Sequence, residues 1–416
     1  MDRCRSTDAA RLLYFSDITA EHASQAAFLY QTRRRLECSW IVEAGGLDRF
    51  DQQVAAHLSG ILGDLATEQE RLLAMAAAGD SGYIYSCCAL WLLSHRAWPD
   101  ELKQAVLAGD GGLGAAAAAV QTLEPSEGAG LVRAWLEEDD PALLGTAIAA
   151  AHDLGVQPGE SLQRVLASEH SALREAGLEL AGSLRLHEAA PGAEAALDSE
   201  DAAIRYQGAR WLALTGSGEA RAALQSCLGE ACGWRALRLL ATVLSAEACR
   251  DLAGELAREP STRRYGARLA GYAGLVQMID GLIRLMEEPW TAPFAAEALG
   301  LITSLDYARQ GLVASEGHYD AEEAYVGEGF NLPQPDPEAI AAWWEDNQRH
   351  YPAGDEQWLL GQRRSAERLA EVINRDNEHA RAFATMLLAQ EQPEQPLTPL
   401  CGFSAHLPRL SDSDPG

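Results

Sequence analysis

Gly109-Asp110-Gly111-Gly112-Leu113-Gly114 fits G-x-G-x-x-G, the spacing with which a loop can cradle a pyrophosphate, and Glu124 and Glu127 stand downstream of it. A dinucleotide loop leaves a β-strand within a βαβ unit, whereas this one follows the helical run ELKQAVLAG. Its glycines are better read as ending one helix and turning tightly into the next. Glu316, His318, Asp320, Glu322 and Glu323 bring together oxygen and imidazole ligands, but not at a calcium-loop spacing, and read as a solvated acidic loop. The ten histidines include no H-E-x-x-H pair, and no serine occupies a G-x-S-x-G elbow. His57 reads as a partly buried structural histidine. Of the eight cysteines, Cys4, Cys38, Cys87, Cys88, Cys227, Cys232, Cys249 and Cys401, none is spaced C-x-x-C, so they are expected to be mostly reduced and buried. Lys103 is the single lysine and lies in no recognisable motif. These residues predict no catalytic, cofactor or metal site.

The least routine stretch is EGHYDAEEAYVGEGFNLPQPDPEAIAAWWEDNQRHYP, from Glu316 to Pro352. Asp336-Pro337-Glu338 reads as a helix start with Asp at the N-cap and Pro in the first turn, and the NLPQP loop must approach it extended. Trp343 and Trp344 are neighbours about 100° apart on that helix, so they cannot share one contact. One is expected to anchor the segment while the other meets a partner. Asn331, Pro333, Asp336, Trp343 and Trp344 are the candidate partner-binding residues.

The elements that would carry these residues announce themselves by repetition. RYQGARWLALTG begins at Arg205 and RYGARLAGYAG at Arg264. Small residues recur at steps of about 30 residues at Cys87, Ala117, Ala147, Gly177, Gly208, Ala236, Gly266 and Ala296. Three positions later stand Leu90, Val120, Ala150, Leu180, Trp211, Leu239, Leu269 and Leu299, on the same face of a helix. Each such helix is followed by Gly, Pro or Asp and then a second apolar helix, such as AAPGAEAAL or GEARAALQSCL, which makes a hairpin. A pair of short helices cannot bury its apolar faces alone, so successive pairs must stack, with the small column at the closest approach. Asp-rich starts such as DSEDAAIR supply N-cap oxygens.

The predicted fold is all-α, an α-solenoid of about eight hairpins of roughly 30 residues with helical flanks at both ends. The boundaries read as an N-terminal helical cap over 1–80, the repeats over 81–317, a nonrepetitive loop and helices over 318–390, and an irregular tail over 391–416. In the cap, LDRFDQQVAAHLSGILGDLA places Leu47, Phe50, Val54, Leu58, Ile61 and Leu65 at helical spacing.

A formal charge of −28 would repel a phosphate backbone and favour a basic protein surface, so nucleic acid is not expected as a partner. The apolar runs are too short to cross a bilayer and the N-terminus lacks a secretory signal, which makes a cytoplasmic protein the expectation, with no membrane partner.

ALREAGLELAG and FAAEALGLI resemble HEAT-like repeats of the short kind also seen in phycobilin lyases. GEGFNLPQPDPEAIAAWWEDNQ and LDRFDQQVAAHLSGI, together with the repeats, resemble a bacterial family of HEAT-repeat proteins often encoded near type VI secretion genes. That family offers no established catalytic residues to carry over. A solenoid's concave face suits a non-enzymatic protein-binding scaffold or adaptor, and the resemblance implies its setting, as an accessory of a type VI secretion apparatus or of its effector loading. The alternative is a small-molecule lyase or isomerase of the phycobilin-lyase type; a base-excision enzyme of the HEAT-like alkylpurine glycosylase type would need a basic groove, which the charge opposes.

Overall fold

The computed structural model describes residues 3–37, 39, 42, 43, 45–63, 65–217, 219–314, 332–352, 354 and 356–399, with side chains from residue 18 onward. Asn331, the acidic residues from Glu316 to Glu323, Cys38 and Cys401 lie outside the described residues, as does the side chain of Cys4. The regular elements among the described residues are helices, apart from one pair of two-residue strands. It divides into two compact units: 1–196 with 396–416, and 197–395.

In the first unit a long helix α1 (Arg3–Leu36) packs on α2 (Asp48–Leu62), α3 (Leu65–Ala77) and α4 (Ser81–Leu93). Leu47, Val54, Leu58, Ile61 and Leu65 are buried as their spacing requires, while Gly63 ends α2 before Leu65 opens α3. Arg33 ties α1 to α2 through a buried ion pair with Asp51. Short helices then alternate: α5 (Asp100–Ala108), α6 (Gly112–Val120), α7 (Pro125–Leu136), α8 (Pro141–Ala151), α9 (Ser161–Leu166), α10 (Ser171–Leu184) and α11 (Ala190–Ala196). The first helices of successive hairpins pack in order, α4 on α6, α6 on α8 and α8 on α10.

The second unit continues the alternation with α12 (Ala202–Leu214), α13 (Ala220–Ser226), α14 (Gly233–Val243), α15 (Ala246–Leu256), α16 (Arg263–Ala273), α17 (Ile279–Leu285) and α18 (Ala292–Thr303). Within it α12 packs on α14, α14 on α16 and α16 on α18. Then come α19 (Pro337–Asn347), strands β1 (Trp358–Leu359) and β2 (Gln362–Arg363), α20 (Ala366–Arg375) and α21 (Glu378–Glu391).

The two repeat columns fall one pair to a helix on α4, α6, α8, α10, α12, α14, α16 and α18, and all sixteen residues are buried. At Gly266 and Gly177 the small column faces the preceding second helix. A Cβ built on Gly266 would lie 2.7 Å from Ala253 O and Ala257 N of α15, and one on Gly177 would lie 2.8 Å from Val165 Cγ2 of α9. Aspartate caps recur at Asp80, Asp140 and Asp201, each accepting from backbone N–H groups of the helix it opens.

The G-x-G-x-x-G stretch is a helix-to-helix turn. Gly109 is the C-cap of α5, and Gly111 adopts φ +67° before Gly112 begins α6. Lys103 of α5 forms an ion pair at 2.8 Å with Asp140, the N-cap of α8, and that bond raises its pKa. Among the described cysteines Cys87, Cys88, Cys227, Cys232 and Cys249 are free thiols and buried. His57 Nδ1 lies 2.9 Å from His22 Nδ1 across α1 and α2. Burial, then the facing His22, lowers its pKa.

Candidate functional site

The last turn of an α-helix leaves four carbonyls without intrahelical partners, at the negative end of the helix dipole. Eight first helices repeat this ending, so each unit carries a recurring row of acceptors. In the second unit that row is met by donors from the C-terminal segment. Gly274 O accepts from Trp358 N at 2.7 Å, Leu301 O from Leu360 N at 2.6 Å and Ile302 O from Gly361 N at 2.9 Å. Side chains fill the places between: Gln357 Nε2 donates to Ala273 O, Arg364 Nη2 to Tyr272 O, Tyr351 OH to Thr303 O and Gln390 Nε2 to Ala213 O. The β1–β2 turn that delivers two of these amides has positive φ at both central residues, Leu360 at 49° and Gly361 at 77°. A leucine there is strained, and its amide bond to α18 together with its buried side chain offsets that strain.

In the first unit the chain between Pro396 and Pro399 performs the same capture on α8 and α10. Leu397 N donates to Ser183 O at 2.8 Å in the last turn of α10. His152 Nε2, from the C-cap of α8, lies 2.7 Å from Leu397 O and donates to it as the protonated ring nitrogen. Both backbone groups of Leu397 are thereby held, and the residue is buried. His152 Nδ1 faces Asp153 Oδ1 at 3.5 Å, and Asp153 Oδ2 accepts from Gln121 Nε2 at 2.6 Å. Beside this seat lies a cavity of about 100 Å³ lined by Ile148, His152, Asp153, Glu179, Leu180 and Ser183.

The candidates drawn from sequence are placed as follows. Pro333 O accepts from Tyr307 OH at 2.9 Å. Asp336 caps α19, accepting from Glu338 N and Ala339 N, while its own N–H donates to Leu312 O. Trp344 is buried with its Nε1 donating to Asp280 Oδ1 at 3.2 Å, and its ring meets Tyr351, which in turn meets Trp358. Trp343 remains half-buried. Trp290, which sequence reasoning passed over, is 55% exposed. Its neighbour Pro289 accepts from Gln334 of the proline loop, and the Glu-Glu-Pro-Trp wording of that turn was the available signal.

A layer of rings and guanidinium groups also escaped the repeat reading. Tyr206, Trp234 and Phe294 stand two residues before the small column, and Arg210, Arg238 and Arg268 two after it, one helical turn apart on a common face. Arg268 lies 4.5 Å from the centre of the Trp234 ring and 5.1 Å from that of Phe294, and it pairs with Glu297 at 2.6 Å, all four side chains buried. Arg235 covers Tyr206 at 5.4 Å. This layer joins α12, α14, α16 and α18 by packing and charge.

Comparison with protein-family models, with curated proteins and with solved structures finds no match to the chain. Among the described residues no helix is long and apolar enough to cross a membrane, and no cluster of three or more His, Cys, Asp or Glu is placed to hold a metal ion.

Proposed function

We propose that the chain is a HEAT-like helical-repeat protein, a solenoid of stacked hairpins acting as a non-enzymatic scaffold that binds an extended segment of another protein. The observation that carries this reading is the seat at His152 and Ser183, where two successive first helices hold both backbone groups of Leu397. A surface that takes a peptide by its backbone and buries its side chain uses the chemistry of peptide recognition. The net charge of −28 supports a partner with a basic surface. Asn331, Pro333, Asp336, Trp343 and Trp344 supply a second contact region, with Trp343 meeting the partner and Trp344 holding the segment down. The setting, an accessory of a type VI secretion apparatus, follows from the resemblance of the flanks. The alternative is a small-molecule lyase or isomerase using the concave face as its pocket; the cavity beside His152, about 100 Å³, is too small to serve as that pocket.

The test compares Trp343→Ala with Trp344→Ala by titration against a protein captured stoichiometrically by the full chain. Trp343→Ala weakens binding at least about tenfold, equivalent to about 1.4 kcal/mol, with an unchanged melting curve. Trp344→Ala melts early. Normal binding by both variants would show that the segment is only a structural cap.

A further inference from the structure

We infer that Cys227 and Cys232 form a modification site at which hydrogen peroxide joins the end of α13 to the start of α14 by a reversible disulfide. The site is independent of what the scaffold binds.

The turn between the two helices brings the pair together. Cys227 is the C-cap of α13 and Cys232 the N-cap of α14, with Leu228, Gly229, Glu230 and Ala231 between them. Glu230 N donates to Cys227 O at 3.1 Å and Gly233 N to Glu230 O at 2.9 Å, so two successive tight turns fold the chain back on itself. Its ends meet closely, for a Cβ on Gly233 would lie 2.4 Å from Leu228 O. Cys232 Sγ stands 4.0 Å from Cys227 O, and the Cys227 thiol donates a hydrogen bond to the Cys232 sulfur. Both residues are buried, but Gly229, Glu230 and Ala231 of their turn are exposed, which leaves a molecule as small as peroxide a short path.

The pair is asymmetric. The hydrogen bond from Cys227, then the Cys232 amide and the Arg235 guanidinium, bring the Cys232 thiol down to about 7, against burial and the Glu230 carboxylate. The same bond, with burial, raises Cys227. Cys87 and Cys88 make the contrast: adjacent in sequence inside α4 among buried neighbours, both are pushed up by burial and are inert.

Cys232 therefore attacks as the thiolate. Its sulfur takes one oxygen of the peroxide, the O–O bond breaks, and Cys232 becomes a sulfenic acid as hydroxide leaves. Cys227 gives its proton to that hydroxide, and its sulfur attacks Cys232 Sγ, displacing a second hydroxide, which takes up the proton Cys232 first released. The thiols lose a pair of electrons and the peroxide ends as water. A dithiol reductant reverses the bond by exchange.

The experiment treats the reduced full chain with hydrogen peroxide and maps its peptides without reduction. A Cys227–Cys232 link should appear with a loss of about 2 Da, and dithiothreitol should restore the mass. Links confined to other cysteines, or sulfinic and sulfonic acids without a link, would overturn the inference. Cys227→Ser should accumulate a sulfenic acid on Cys232 that dimedone traps, and Cys232→Ser should slow loss of the Cys227 thiol to peroxide at least about tenfold. Unslowed oxidation of Cys227 in Cys232→Ser, or no dimedone adduct in Cys227→Ser, would overturn the assignment of Cys232 as the attacking sulfur. Should either variant fail to fold, the wild-type map decides by itself.

Discussion

Gly266→Ala places one methyl group against backbone that cannot yield. The new Cβ would lie 2.7 Å from Ala253 O and Ala257 N and 3.1 Å from Ala257 Cα, so α15 and α16 must part by about 0.7 Å to reach an ordinary contact of about 3.4 Å. Overpacking of this kind costs about 1–3 kcal/mol, while removing a glycine from a helix interior returns up to about 1 kcal/mol. The net loss should be about 1 kcal/mol for Ala and at least about 2 kcal/mol for Gly266→Leu. Gly254, in the helix that Gly266 touches, is exposed with nothing within 4 Å of its Cβ position, so Gly254→Ala should gain about 0.5–1 kcal/mol. Thermal melts followed by far-ultraviolet circular dichroism resolve both signs, since about 1 kcal/mol moves Tm by roughly 2–4 °C in a unit of this size. Gly208→Leu, at the equivalent place in α12, should fall in the same direction as Gly266→Leu. A Gly266→Leu protein melting at the wild-type temperature would refute the close approach assigned to the small column.

Removing one partner of the buried Arg268–Glu297 pair strands the other charge: Arg268→Met should cost about 3–5 kcal/mol in urea unfolding, and Arg268→Met with Glu297→Leu should recover most of it. A double variant as unstable as the single one would locate the loss in the contacts of Arg268 with Trp234 and Phe294 instead. Tyr30 and Tyr85 stack with ring centres 4.2 Å apart, and burial raises both phenols, that of Tyr30 to about 12. A raised acid stays protonated in the folded state after the unfolded chain has released its proton. Stability should therefore fall between about pH 10 and pH 12, by about 1.4 kcal/mol per pH unit for each such group, and Tyr30→Phe should flatten the slope by one proton. Buried Cys87, also pushed up to about 12, begins its share of the loss earlier, near its ordinary value of 9.0, so an alkaline denaturation curve that is level from pH 9 to 12 would contradict these burials.

The sequence by itself determined the local and periodic features. Eight small and eight apolar residues at a step of about 30 fix which face of each first helix is buried, because a 3.6-residue turn carries positions three apart to the same side. Asp336 and Asp201 as caps, and Gly111 as the turn between α5 and α6, were legible for the same reason: each answers a requirement met within a few residues. Only the tertiary structure decided what the helix ends receive. The carbonyls of Ser183, Gly274, Leu301 and Ile302 are ordinary residues in the sequence, and their donors lie far along the chain at Leu397, Trp358, Leu360 and Gly361. The β1–β2 hairpin likewise left little signal, since its turn sets a leucine at positive φ and is held by contacts with α18. Backbone hydrogen bonds are indifferent to residue type, so a site built from them leaves almost no mark on composition or spacing. The leucine between prolines and the histidine closing α8 came together only when the chain folded.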